Sequence, residues 1–223
     1  MVYVYSVSPK KKKNFFNSLS LNTIFIIINV IAFIVFTILI SLNILSVDYI
    51  AIKPSNILQG KYLWTFLTSM FMHGGFFHLF VNMLSLFFIG SLVEKIIGKK
   101  RYFWFYILSG IFSGLFFVLL SLIFNADLGV YAVGASGALF GLIGLLMLLT
   151  PNLPVYVMFI PIPIKMKYAG IGMLVLLWII SIAGSISIGN TAHLGGLIAG
   201  LIYGVILRGK YKHKTTYIRK HFS

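Results

Sequence analysis

The sequence predicts an all-α membrane protein, a bundle of six transmembrane helices. Three observations carry this. Of its 223 residues 60% are hydrophobic and 9% charged, and the mean hydropathy is +1.02. Several apolar runs approach or exceed the roughly 20 residues that cross a bilayer as a helix. The basic residues are gathered between these runs, as in loops held on one side of a membrane. A separate soluble domain of ordinary size has no room. The chain has no cysteine, which excludes a thiol nucleophile, a disulfide framework and thiolate metal sites.

The spans follow in order. The first covers residues 22–45 and is entered from the Lys10–Lys13 run. No small-residue cleavage site follows it, so it reads as a retained span and not as a signal peptide. The second covers 76–97 and the third 102–124. The fourth covers 135–150 and is closed by Pro151 and Pro154. The fifth covers 168–187 and the sixth 191–208. This divides the chain into a basic arm (1–21), a six-span domain (22–208) and a basic tail (209–223).

The net charge is +15, from 18 Lys and Arg against 3 Asp and Glu. In a soluble protein that balance would suggest nucleic acid. Here its placement makes it a topology signal, and no nucleic-acid partner is expected. The clusters Lys10–Lys13, Lys95–Arg101, Lys165 with Lys167, and Arg208–Lys220 all fall on one side of six spans. Only Lys53 and Lys61, in the long connection 46–75, fall on the other. The expected orientation therefore has both termini in the cytoplasm, in the plasma membrane. The tail is expected to be a solvated inner anchor that also meets anionic membrane lipids.

This topology brings three polar segments to one depth near the outer side. Residues 134–144 read GASGALFGLIG and carry Ser136. The sixth span begins TAHLGGLIAG and carries His193. The start of the second reads HGGFFHLFVN, with His73, His78 and Asn82. A lone membrane serine usually bonds back to a carbonyl or packs as a small residue. Ser136, however, lies between Gly134 and Gly137, and Gly141 and Gly144 continue the small-residue stripe. In the sixth span Ala192, Gly196, Gly200 and Gly204 repeat every four residues, and His193 shares the face of Gly196 and Gly200. Two such faces in contact could bring the hydroxyl to the imidazole, the arrangement of a nucleophile and its base. The structural alternative is a glycine-packed helix pair with an incidental histidine. An ionisable group inside a span is costly enough to make function the default.

His78 and Asn82 are four residues apart and share a helix face. Both can donate hydrogen bonds to a developing oxyanion. Interhelical bonds that hold the bundle are the structural alternative. His73 lies at the foot of the loop, where a structural hydrogen bond is expected. No carboxylate in that segment completes a metal ligand set, so no metal and no cofactor are expected. The acids are Asp48, Glu94 and Asp127. Glu94 follows His78 by sixteen residues, about 24 Å along a helix, and so belongs to the other end of the span. The two aspartates fall in wet outer connections. The expectation is a Ser–His dyad without a buried aspartate.

Together HGGFFHLFVNM, GASGALFG and AHLGGLIAG resemble the rhomboid intramembrane serine proteases, over spans two to six. The resemblance implies a serine endopeptidase acting on transmembrane protein substrates, with Ser136 as nucleophile and His193 as general base. It implies an oxyanion site from His78, Asn82 and the Ser136 backbone N–H. It also implies that Phe140 packs on the catalytic histidine and that Glu94 is structural at the inner end of span two. Residues 46–75 would form the first loop, and the connection around Ser185 to Asn190 a cap over the site. One departure stands out: a Trp-Arg pair usual in the family reads Trp64–Thr65 here, so the bonding inside the first loop should differ. No feature of the sequence indicates an oligomeric state.

Overall fold

The computed structural model describes residues 19–157, 161–184 and 189–222. The first span, α1 (Leu21–Ser41), starts at Ser20, whose hydroxyl accepts from the Thr23 N–H at 3.0 Å. Its next free amides, of Leu21 and Asn22, donate to the two Glu94 oxygens at 3.0 and 2.8 Å. A carboxylate at the positive end of the helix satisfies orphan donors and complements the dipole. Glu94 is thereby fixed at the end of the bundle opposite Ser136.

The connection that follows contains α2 (Pro54–Leu58) and α3 (Thr65–Thr68). The second span is Phe76–Ile97, made of α4 (Phe76–Ser85), a π-helical turn at Leu86–Gly90 and α5 (Ser91–Ile97). A π turn leaves a carbonyl without its usual partner. Here the Asn22 amide donates to the Leu86 carbonyl at 2.8 Å and to the Ser91 hydroxyl at 3.0 Å. The Tyr102 hydroxyl donates back to Asn22 Oδ1 at 2.6 Å. Both side chains occupy the space that a Cβ on Gly90 would need. Gly98, with φ +83°, then turns the chain into α6 (Lys99–Ile123).

The remaining elements are α7 (Ser136–Leu149), a two-residue antiparallel pair β1 (Pro154–Val155) and β2 (Ile164–Lys165), α8 (Met166–Gly184), α9 (Asn190–Lys210) and α10 (Lys212–His221). Five helices among the described residues are long and apolar enough to cross a membrane. The fourth predicted span is different: α7 has 14 residues, about 21 Å of helix against a hydrocarbon core of about 30 Å. It is the centre of the bundle. Every residue of α7 except Ser136 and Leu148 is buried, as expected of a helix apolar on all sides. By contrast α1 exposes Ile27, Ile31, Ile34 and Ile38 on its outer face.

One further expectation changes. The first span ends at Ser41 and not at residue 45, because the next residues form a turn with Asn43 at φ +57°. The tail, expected as a solvated inner anchor, is a helix over Lys212–His221, in which the buried Thr215 donates its hydroxyl to the Tyr211 carbonyl at 3.1 Å. The Lys10–Lys13 run, and residues 185–188 of the expected cap, lie outside the described residues.

Candidate active site

Ser136 is the first residue of α7. The chain leading to it is held by the first connection at three points. The Ser55 N–H donates to the Leu128 carbonyl at 2.9 Å. Ile52 and Ala132 exchange backbone hydrogen bonds of 3.1 and 2.8 Å. The Gly134 N–H donates to the Ser69 carbonyl at 2.9 Å. Side chains add a fourth tie: the Tyr131 hydroxyl donates to Asp48 at 2.8 Å, and the Asn56 amide to the same oxygen at 2.7 Å. These bonds, the tyrosine's first, hold the Asp48 carboxyl below its ordinary pKa. Gly134 has φ +119°, and a Cβ there would lie 2.8 Å from Cε1 and 2.9 Å from Nε2 of His78. Glycine is required at this position by backbone conformation and by the imidazole beside it.

His193, near the start of α9, is 5% exposed. Its Nε2 lies 2.8 Å from Ser136 Oγ, across 57 residues of sequence. The Phe140 ring, one turn beyond the serine, stacks on the imidazole with centroids 4.6 Å apart and planes inclined by 20°. Glycines make this approach possible. A Cβ on Gly196 would collide with the Gly137 carbonyl, and one on Gly200 with the Gly141 carbonyl. A Cβ on Gly144 would stand 3.2 Å from the Gly200 Cα. The two helices touch backbone to backbone, as small-residue stripes allow.

A third helix completes the junction, and the sequence reading missed it. Ser113 on α6 donates to the Ala192 carbonyl at 2.6 Å, fixing the residue before His193. Ser113 and Ser109 also occupy the space beside Gly137 and Gly141 that side chains would otherwise fill. Their signal was present as paired small residues four apart, Ser109–Gly110 and Ser113–Gly114.

No carboxylate reaches His193, whose Nδ1 has no protein hydrogen-bond partner. Glu94 is engaged with α1, Asp48 with Tyr131 and Asn56, and Asp127 is exposed. Among the described residues no group of three or more His, Cys, Asp or Glu could hold a metal ion.

His78 accepts the Gly74 N–H on Nδ1 at 3.3 Å, which turns Nε2 toward Gly134 and the serine. Asn82 is 4% exposed; its amide donates to the His78 carbonyl at 2.8 Å, while Oδ1 has no protein partner. His73 is 1% exposed and stands edge-on to His78, with centroids 5.2 Å apart. Neither of its ring nitrogens meets a protein partner in full hydrogen-bonding geometry, and its polar contact is with the Phe71 backbone. Its contribution is packing behind His78. In the first connection the Trp64 indole donates to the Tyr49 carbonyl at 3.0 Å, while the buried Thr65 hydroxyl has no protein partner.

The family model described as the Rhomboid domain matches residues 60–210 of this chain, which include all of these side chains except those of the first connection's start. The chain belongs to the rhomboid family. This rhomboid is 37% identical over 159 residues to RHOMBOID-like protein 1 of Arabidopsis thaliana, covering 70% of this chain and 37% of that one. It is 31% identical over 140 residues to Rhomboid protein 1, mitochondrial, of Saccharomyces cerevisiae, covering 61% and 39%. It is also 40% identical over 82 residues to Inactive RHOMBOID-like protein 8 of Arabidopsis thaliana, covering 37% and 22%. The chain spans less than half the length of these curated relatives. As a rhomboid with five membrane-length apolar helices among its described residues, it is a multi-pass membrane protein.

Proposed function

We propose that this rhomboid is an intramembrane serine endopeptidase that cleaves transmembrane segments of membrane proteins near their outer end. The observation that carries the reading is the 2.8 Å contact between His193 Nε2 and Ser136 Oγ. His193 takes the serine proton and Ser136 attacks the substrate carbonyl. The Ser136 N–H stands at the start of α7, where amides lack intrahelical partners, and it can donate to the oxyanion. His78 and Asn82 supply the other donors. His193 then protonates the leaving amine, and water hydrolyses the acyl-enzyme. The unpartnered Nδ1 supports a dyad, with Phe140 stacked on the ring that a carboxylate would orient in a triad.

The substrate must unwind locally, since a helical peptide bond is shielded and its carbonyl is already bonded. The excess of basic residues on one side supports a plasma-membrane orientation with both termini cytoplasmic.

Because one relative is named inactive, nucleophile reactivity is the direct test. A fluorophosphonate probe is expected to label the purified protein at Ser136, and His193→Ala is expected to prevent it. An unlabelled wild-type protein that is folded would overturn the dyad. Asn82→Ala should lower turnover of a transmembrane substrate by about 10²-fold or less, since other donors remain. If it instead unfolds the protein, the bond to the His78 carbonyl is its main role.

A further inference from the structure

We propose that the end of the bundle opposite Ser136 carries a binding site for the phosphate of an anionic phospholipid, formed by Arg101, Lys210 and Lys214 around Tyr211. Tyr211 is the hinge between α9 and α10, with φ −125° and ψ 45°. Its hydroxyl accepts from Arg101 Nη2 at 2.8 Å, and the Arg101 guanidinium lies 4.8 Å from the ring centroid. Lys210 Nζ lies 5.7 Å from the same centroid. Lys214, one helical turn beyond Tyr211, lines a notch with Arg101 and Tyr211. The ring therefore gathers cations from α6 and the end of α9, and the notch beside it adds Lys214 from the start of α10.

Among the described residues no carboxylate stands beside these cations. The protein has 3 acidic residues in all. Asp48 and Asp127 lie in the connections at the Ser136 end, and Glu94 is used by the first amides of α1. The C-terminus of α9 offers about half an elementary negative charge, far short of three cations. A tyrosine ring attracts a cation but does not neutralise it. The three side chains are exposed, so the cluster is open to an external anion.

The notch selects which anion. Its floor is aliphatic, from Ile96, Leu207 and Ile218 beside the buried end of α7. A free phosphate has no use for that floor, whereas the glycerol and first methylenes of a lipid would cover it. Basic clusters beside transmembrane helices attract anionic headgroups by about 1 kcal/mol per Lys or Arg. The site does not depend on whether Ser136 is catalytic.

The test uses the full chain, purified and exposed to mixed phosphatidylglycerol and phosphatidylcholine, with retained lipid read by native mass spectrometry. Phosphatidylglycerol should be retained over phosphatidylcholine by about tenfold or more. Arg101→Gln with Lys214→Gln should remove that preference, while Lys53→Gln with Lys61→Gln, at the other end, should leave it intact. Helical content and thermal midpoint in phosphatidylcholine vesicles report whether the double variant folds; if it does not, Lys214→Gln alone carries the comparison and should weaken the preference. Equal retention of the two lipids, or an unchanged preference in the folded variants, overturns the site. Displacement of phosphatidylglycerol by inorganic phosphate overturns its assignment to a lipid.

Discussion

Replacing Ser136 with Ala is expected to abolish cleavage of a transmembrane substrate while the protein stays folded. The effect should be large because the two residues of the proposed dyad act as one unit. Without the hydroxyl, His193 has no proton to take and no acyl-enzyme can form. In serine hydrolases the loss of the nucleophile costs on the order of 10⁶ in turnover, and the residual rate reflects binding and oxyanion donors alone. Folding should survive, since Ser136 is only partly buried and its hydrogen-bonded partner is the His193 ring. Alanine also suits the first turn of a helix. The measurement is the rate of substrate cleavage in proteoliposomes beside the thermal midpoint of the same preparation. Retained cleavage at a tenth of the wild-type rate would sink the nucleophile assignment.

Replacing Gly196 with Val is the second large effect, and it acts at a distance from the chemistry. The new Cβ would occupy the position of the Gly137 carbonyl, and backbone cannot rotate aside as a side chain can. The helices α7 and α9 must separate. Overpacking of this kind costs about 1–3 kcal/mol in stability. The separation also lengthens the 2.8 Å contact between His193 and Ser136, and a misplacement of about 1 Å can cost about 10²-fold in rate. Both the thermal midpoint and fluorophosphonate labelling of Ser136 should fall. Gly172→Ala, on α8 where a Cβ meets no atom within 4 Å, is the matched control and should change neither. A Gly196→Val protein as stable and as reactive as the parent would show that the glycine contact does not hold the pair together.

Much of the site was legible because its residues are exceptional where they stand. Ser136, His193, His78 and Asn82 are polar groups in apolar surroundings, and charge topology placed them at one depth. The glycines four apart marked the helix faces that meet. What escaped was ordinary by composition. Ser109 and Ser113 look like any small membrane serines until the space beside Gly137 and Gly141 is seen to need them. Asn22 gave no sign that it would close a π turn some 64 residues away. His73, expected to form a structural hydrogen bond, stands edge-on to the His78 ring, with the Phe71 backbone as its polar contact.

Hydropathy along the chain was enough for an all-α multi-pass membrane protein and for the apolar runs that build it, since these depend on local transfer free energies. The length of α7 was not among them. An apolar run of 16 residues looks the same whether it faces lipid or protein. Only packing decided that this one is enclosed, short and central, with its serine lifted to the level of His193 by the hydrogen bonds between residues 128–134 and the first connection. Those bonds join segments more than sixty residues apart, and no periodicity within either segment encodes them.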